Sequence, residues 1–346
     1  MDETERLSFI QIAAIYIGTV VGAGFASGQE VLQFFAFFGA RGVAGLVLSV
    51  LMFASFGTIV MLIGHRLKAT SYKPVIMEVG GPYVGRLIDY VITFFLFGAV
   101  VAMVAGAGAT FEQEFGLPAI WGVGLMAVAT VVTVLLGIGG VLSAISFVVP
   151  FLLIAVIAVS AFALLTAPIA IEWSVPQAAP VPRWWLSGIA YGSYNLLLAT
   201  SVLAPMGRLA SRRALTVGAI LGALGLGIGA LFVLLAILTQ VPDIANVEVP
   251  MIVVAASWSP LAPLVYSIVL LAEVYTTAVG SLYGFIVRFV KEGSSLFSPL
   301  TVIAGLLAFV AGQLGFSTIV KTVYPAAGYA GFVFLIGLVF YVARRP

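Results

Sequence analysis

Apolar residues fall in runs of about twenty or more, the length that carries a helix across a bilayer's hydrocarbon core, and polar residues gather between the runs. The pattern predicts helices near 8–38, 42–65, 82–111, 118–136 and 140–165, then near 184–206, 214–240, 260–288, 298–314 and 323–343. Two runs are interrupted. The first carries Gly22-Ala23-Gly24 at mid-length, followed by Gly28, Gln29 and Glu30; the sixth carries Tyr191-Gly192-Ser193-Tyr194-Asn195. Lipid offers no hydrogen bond to an opened backbone, so a broken segment at membrane depth is tolerated only where it lines a cavity inside the protein.

The expectation is an all-α polytopic membrane protein of ten spans. Five spans place the sixth in the opposite sense to the first, and interruptions at matching points of two inverted halves are the pattern of a secondary transporter with its site near the midplane. The organisation expected is one integrated unit: a first five-helix repeat over 1–165, an external linker over 166–183 stiffened by Pro168, Pro176, Pro180 and Pro182, and a second repeat over 184–346. Two shorter pieces fit beside the spans. Residues 72–79, with Pro74, lie along the cytoplasmic surface, and residues 249–257, between Pro250 and Pro260, cap the outer face.

Composition narrows the class. Of 346 residues, 62% are hydrophobic and 8% charged, more apolar surface than a soluble fold of this size can bury. Twelve of the fifteen Lys and Arg, from Arg6 to Arg345, fall in segments on the side of the N-terminus, and three, Arg41, Arg183 and Lys321, on the other. That excess places both termini in the cytoplasm and the chain in the plasma membrane. The basic residues form no continuous face, which excludes nucleic acid as a partner. Without cysteine there is no disulfide or thiolate site. The single histidine, His65, reads as a solvated residue at a helix end and excludes a multi-histidine metal site. The acidic start, Met1-Asp2-Glu3-Thr4-Glu5-Arg6, and the long run after it predict no cleaved leader. No phosphate loop, metalloprotease helix or nucleophile elbow is present, so neither an enzyme nor a cofactor is expected.

The candidate chemistry sits at the breaks. A half-helix ending near Val21 presents unpaired carbonyls and the negative end of its dipole to a cation, and one beginning near Phe25 presents free N–H groups to a carboxylate. In the eighth span, Glu273, Thr276 and Thr277 share one helical face at i, i+3 and i+4. Set against the carbonyls of Gly18 and Val21, they make an oxygen cage for sodium; alternatively Glu273, costly to bury in a membrane, carries a proton. Either threonine taken alone could instead bond its own helix at i−4. Gln29 and Glu30 read as gate or vestibule residues, Glu30 being equally a substrate contact or a solvated wall. Tyr191, Ser193, Tyr194 and Asn195 supply walls for a substrate side chain, or packing. Gly218, Gly222, Gly225 and Gly229 have the spacing of a helix-packing face.

Ile17-Gly18-Thr19-Val20-Val21-Gly22-Ala23-Gly24 resembles the first-helix signature of the amino acid–polyamine–organocation superfamily, and the longer string from Gly22 to Glu30 is similar to the YkvI-like bacterial membrane proteins. The resemblance covers nearly the whole chain. It implies the LeuT fold and alternating access by rocking of a bundle of spans one, two, six and seven. It also implies a sodium site at Gly18, Val21, Thr276 and Thr277, and substrate binding around Gly22, Ala23, Gly24 and Phe25, with the substrate carboxylate at the N–H groups of Ala23 and Gly24. Where relatives with a second sodium have a side-chain oxygen, this chain has Phe25, so at most one sodium is expected; residues 140–165 lack the lysine of some proton-coupled relatives. The function expected is a symporter for a small amino acid or related zwitterion, coupled to sodium or protons. Its rivals are a ligand-sensing receptor subunit on the same fold, as in spore-germination components, and a passive channel.

Overall fold

A computed structural model describes residues 7–137, 154–165, 179–240, 244 and 247–344, and among them all regular structure is helical. Helix α1 (Phe9–Val20) opens on Ser8, whose hydroxyl accepts the Gln11 N–H while the Gln11 side chain accepts the Ser8 N–H, a reciprocal cap that fixes the start. It stops where Val21 and Gly22 turn extended. A four-residue helix α2 (Ala23–Ala26) follows, then Gly28 at φ +79°, then α3 (Gln29–Phe34) and a 3-10 turn over Ala36–Phe38. Gly28 is needed twice over. Its backbone is left-handed, and a Cβ there would press on Met251 and Ile237.

The remaining helices are α4 (Ala40–Leu67), α5 (Lys73–Phe115), α6 (Ala119–Leu135), α7 (Ile154–Leu165), α8 (Trp184–Met206), α9 (Arg212–Leu238), α10 (Pro250–Ala256), α11 (Ala262–Ile286), α12 (Phe297–Gly312) and α13 (Phe316–Ala343). Five of them, α4, α5, α9, α11 and α13, are long and apolar enough to cross a membrane. Trp121, Leu125, Val128 and Val132 make one stripe along α6, each more than half exposed, a surface suited to lipid and not to water. The chain is a multi-pass membrane protein.

Glycine sets the helix packing. On α9, Gly218 lies against Ile12, Gly222 against Tyr16, Gly225 against Ile17 and Gly229 against Phe25, so the spaced glycines are the seat of α1 and α2, as expected. Helices α4 and α8 touch backbone to backbone at both ends: a Cβ on Gly188 would collide with the Gly45 carbonyl, and one on Gly64 with the Ala204 carbonyl. Pairing 45 with 188 and 64 with 204 makes the two helices run parallel. At the far end His65 is not simply solvated; a ring nitrogen stands 2.9 Å from the Gly207 carbonyl and ties α4 to the end of α8.

Several expectations are corrected. The sixth span is not interrupted at 191–195: α8 is continuous from Trp184 to Met206. Gly192 admits the Met52 side chain of α4 instead of opening the helix. Ser193 and Asn195 donate back to their own helix, at the carbonyls of Ile189 (2.7 Å) and Tyr191 (3.1 Å), and so satisfy the ladder they were expected to break. In the first span, the piece after the break starts at Ala23 rather than near Phe25 and ends after one turn, because Gly28 reverses the chain. Residues 72–79, by contrast, do form a piece of their own: the backbone at Gly81 is non-helical (φ 66°, ψ −171°), so α5 is two helices meeting at a kink, the first ending just before it. Helix α13 begins at Phe316, before the expected 323, because Glu248 Oε2 accepts the Ser317 N–H at 2.5 Å and caps it from a distant segment. Most of the predicted linker, the first half of the fifth predicted span and residues 1–6 lie outside the described residues.

Because the α4–α8 approaches are to backbone atoms that cannot rotate away, Gly64→Val is expected to lose at least about 1–3 kcal/mol, the usual cost of overpacking. Gly124, whose added Cβ would meet only the Phe309 ring at 3.6 Å, should accept alanine with no loss. Thermal midpoints of the two purified variants in detergent check the contrast.

Candidate functional site

At the end of α1 the hydrogen-bond ladder fails over four steps, leaving the N–H groups of Gly22 to Phe25 and the carbonyls of Gly18 to Val21 without backbone partners. The Val21 N–H still reaches the Ile17 carbonyl (2.8 Å), and the ladder resumes with Ala26 N–H to Gly22 carbonyl (2.9 Å). Between these the carbonyls of Gly18 and Val21 receive no backbone N–H. An opening of this kind costs several kcal/mol in an apolar interior unless something polar faces it. Here a cavity of about 330 Å³ does.

The cavity wall is formed by α1 and α2 (Gly18 to Gly24), α3 (Glu30), α5 (Ile92, Phe95, Leu96, Ala99 and Met103), α8 (Tyr194, Asn195, Leu198, Ser201 and Val202), α11 (Glu273, Thr276, Thr277, Gly280 and Ser281) and α13 (Tyr324). Thr277 faces the break directly, its hydroxyl 4.0 Å from where a Cβ on Gly22 would stand. Glu273 is 2% exposed, and its carboxylate accepts from the hydroxyls of Thr277 (3.3 Å) and Thr276 (3.5 Å), so the three side chains form one cluster. Thr276 also donates to the Glu273 carbonyl at 3.0 Å.

Glu30 is 6% exposed and lines the same cavity, so it is no solvated outer wall. The reversal at Gly28 folds its side chain back over Gly24, where a Cβ would collide with the carboxylate. Its Oε2 accepts the Tyr194 hydroxyl at 2.5 Å, and Oε1 accepts no hydrogen bond. The Tyr194 ring packs against those of Phe34, Tyr191 and Tyr324, at centroid distances of 5.7, 5.5 and 5.3 Å.

The structure thus brings Gly18, Val21, Gly22, Ala23, Gly24, Glu30, Tyr194, Asn195, Glu273, Thr276 and Thr277 to one wall. It places four others elsewhere. Phe25 points away and packs on Gly229 of α9. Tyr191 lies among Phe34, Phe35 and Phe53. Ser193 is turned to its own helix beside Gly331. Gln29 is buried beyond the cavity and donates to the Val247 carbonyl at 3.4 Å. Tyr324, Ser281 and the apolar wall from α5 were missed by sequence reasoning. A lone tyrosine before Pro325 was the one polar hint for α13; the α5 residues carry no signal that separates them from packing.

The two ends of the site differ. Beyond α2 the chain is tied shut: Tyr266 donates to the Ala26 carbonyl at 2.5 Å, Met251 N–H to the Ser27 carbonyl at 3.0 Å, and Gln113 pairs with the Val249 backbone through both amide atoms, at 2.9 and 3.0 Å. Toward the start of α1 the cavity continues along Thr19, Ser201 and Ser281. At that end Arg288, just past the end of α11, pairs with Asp89 of α5, which also accepts from Tyr72 at 2.8 Å.

No family model matches the chain. Among curated proteins it is 32% identical over 341 residues to the uncharacterized membrane protein YkvI of Bacillus subtilis (strain 168), covering 96% of both chains. It is 28% identical over 335 residues to YyaD of the same organism, covering 94% of this chain and 95% of that one. Among solved structures it is similar to a sodium-coupled sialic acid symporter in a substrate-bound outward-open state (TM-score 0.64, 14% identity, 97% and 79% of the two chains). It is also similar to MhsT in complex with L-phenylalanine (TM-score 0.62, 17% identity, 96% and 90%) and to a manganese transporter of Eremococcus coleocola (TM-score 0.60, 13% identity, 96% and 78%). At these identities the likeness is one of fold, and the fold is the LeuT type that the first-helix signature implied.

Tyr194 is the only described donor to the Glu30 carboxylate, and a hydrogen bond to a charged group contributes about 1.5–3 kcal/mol. Tyr194→Phe is expected to lower thermal stability by about that much in the parent protein and by much less in a Glu30→Gln background. A double-mutant cycle on thermal midpoints measures the coupling, and a coupling near zero would show that the contact is incidental.

Proposed function

The chain belongs to the family of YkvI membrane proteins, and from that premise we propose that it is a secondary active transporter working by alternating access. Its ten spans form two inverted five-helix repeats, 1–165 and 184–346, joined by 166–183, in the plasma membrane with both termini cytoplasmic. The cargo is a small amino acid or related zwitterion, and the driving ion is sodium or a proton.

One observation carries the reading: the backbone of α1 is open at Val21 and Gly22 against Thr277, in a cavity that also holds Glu273 and Glu30. An opened helix beside buried carboxylates has a physical rationale as a place for a polar solute and a cation, and little as packing. In this reading Gly18, Val21, Glu273, Thr276 and Thr277 handle the coupling ion. Gly22, Ala23, Gly24, Tyr194 and Asn195 contact the solute, Phe25, Tyr191 and Ser193 back the wall, Gln29 belongs to the outer closure, and Glu30 stands where that closure meets the solute cavity. With the N-terminus inside, the tied-off end faces outward and the cavity leads toward the cytoplasm, an inward-facing state. The solutes named for the fold neighbours, sialic acid, L-phenylalanine and manganese, differ widely, so they support transport of a small polar solute and not a particular one.

The test is uptake into proteoliposomes. A transporter accumulates solute against its gradient when a sodium or proton gradient is imposed; binding without flux would instead favour a receptor, and non-saturating flux a channel. Changing both Thr276 and Thr277 to alanine is expected to abolish sodium-stimulated binding. If binding never responds to sodium and Glu273→Gln removes its pH dependence, the coupling ion is the proton.

A further inference from the structure

Resting on the alternating-access reading but departing from the amino-acid cargo given with it, we propose that the cavity recognises its cargo by an ammonium group held at Glu30, and that the cargo is a small organic amine for which a free carboxylate is a hindrance. A count of donors and acceptors leads there. Thr19 donates to the Ile15 carbonyl (2.7 Å), Ser201 to the Leu198 carbonyl (2.7 Å) and Thr276 to the Glu273 carbonyl (3.0 Å). Thr277 donates to the Glu273 carboxylate (3.3 Å), Tyr194 to Glu30 (2.5 Å) and Asn195 to the Tyr191 carbonyl (3.1 Å). Among the described residues the hydroxyl protons of the wall are thereby committed, save those of Tyr324 and Ser281, and the Asn195 amide keeps one N–H free. On the side chains what remains free is mostly acceptor, Oε1 of Glu30, the Asn195 amide oxygen and the Glu273 carboxylate; at the break the carbonyls of Gly18 to Val21 stand open beside the free N–H groups of Gly22, Ala23 and Gly24, and the Glu30 carboxylate already lies over Gly24 there. Among the described residues no Lys, Arg or His lines the cavity. A solute complementary to such a wall brings N–H donors and positive charge.

The two carboxylates have different surroundings. Glu273 is gathered with Thr276 and Thr277 at the α1 break, the composition of a site for a small inorganic cation or a proton. Glu30 stands instead beside the rings of Tyr194 and Tyr324, whose faces add a cation–π attraction for an alkylammonium. The place a substrate carboxylate was expected to take, at the start of α2, is already covered, because the Glu30 carboxylate lies over Gly24. Helix α2 has only four residues and offers too little dipole to displace it. A carboxylate there would meet Glu30 at close range, charge against like charge.

Matched triplets test the assignment on the purified full chain: isobutylamine, valine and isovalerate; phenethylamine, phenylalanine and 3-phenylpropionate. Within a triplet the skeleton is shared and only the ionic groups change. We expect at least one amine to bind about tenfold or more tightly than its parent amino acid, with no binding of the carboxylate, by calorimetry or thermal shift. Glu30→Gln should abolish the amine preference and Glu30→Asp should keep part of it, while Glu273→Gln should alter the ion dependence and leave the ranking intact. Should Glu30→Gln fail to fold, the triplets on the parent protein decide alone. Tighter binding of an amino acid or a carboxylate, an unchanged ranking in folded Glu30→Gln, or no amine binding at millimolar concentration overturns the inference. Gradient-driven uptake of a non-amine solute overturns it while the transport reading stands; amine binding with no uptake under either gradient supports it and removes the transport reading.

Discussion

Inside a bilayer every peptide group needs a partner, and the structure is organised around the break between α1 and α2, where a run of backbone groups lacks one. The carbonyls of Gly18 and Val21 lie open at the end of α1, and the groups that face them come from the opposite end of the sequence, on α11. The opening stays compatible with a stable protein because it faces a polar cavity and not lipid. The glycines of α9 seat the two pieces of the broken helix from behind, at Ile12, Tyr16, Ile17 and Phe25, so the gap keeps its geometry without covalent help.

The site's chemistry follows from where hydrogen atoms go. Threonine, serine and tyrosine hydroxyls around the cavity are turned to carbonyls or carboxylates, and each committed proton exposes an oxygen. Among the described residues such a wall carries two carboxylates and no basic side chain, and its backbone donors lie at the break beside the Glu30 carboxylate. It accommodates a cation at two distinct addresses, one beside threonine hydroxyls and one beside tyrosine rings. The closure beyond α2 is one-sided in its bonding. It relies on backbone carbonyls and amide side chains, with the Oε1 atoms of Gln29 and Gln33 buried and unpartnered. The closed end therefore carries a standing cost that hydration would relieve.

Much of the fold was legible because apolar run length is a direct consequence of bilayer thickness; α4, α6, α9, α11 and α12 fall within a few residues of their predicted limits. The break at Val21–Gly22 was legible too, since glycine pairs followed by Gln29 and Glu30 have no reason to sit in lipid. The same reasoning failed at α8. Gly192, Ser193 and Asn195 look like an interruption in sequence, yet glycine for close packing and polar groups bonding back to their own helix leave the same signature as an unwound turn. The start of α13 was unreadable because its cap, Glu248, is remote in sequence. Nor could spacing reveal that Glu30 lies over Gly24, which depends on the left-handed turn at Gly28, or that Tyr324 joins the wall.

The backbone approaches between α4 and α8 carry one more implication. The approaches of Gly45 to Gly188 and of Gly64 to Ala204 lie nineteen residues apart on α4 and sixteen on α8, about 24–28 Å at 1.5 Å per residue. Two rods riveted at both tips can neither slide nor splay, so they turn as a single lever, and a small tilt imposed at one membrane surface arrives undiminished at the other. With α8 unbroken, that lever has no elbow, in contrast to the jointed path from Val21 to Gly28 beside it.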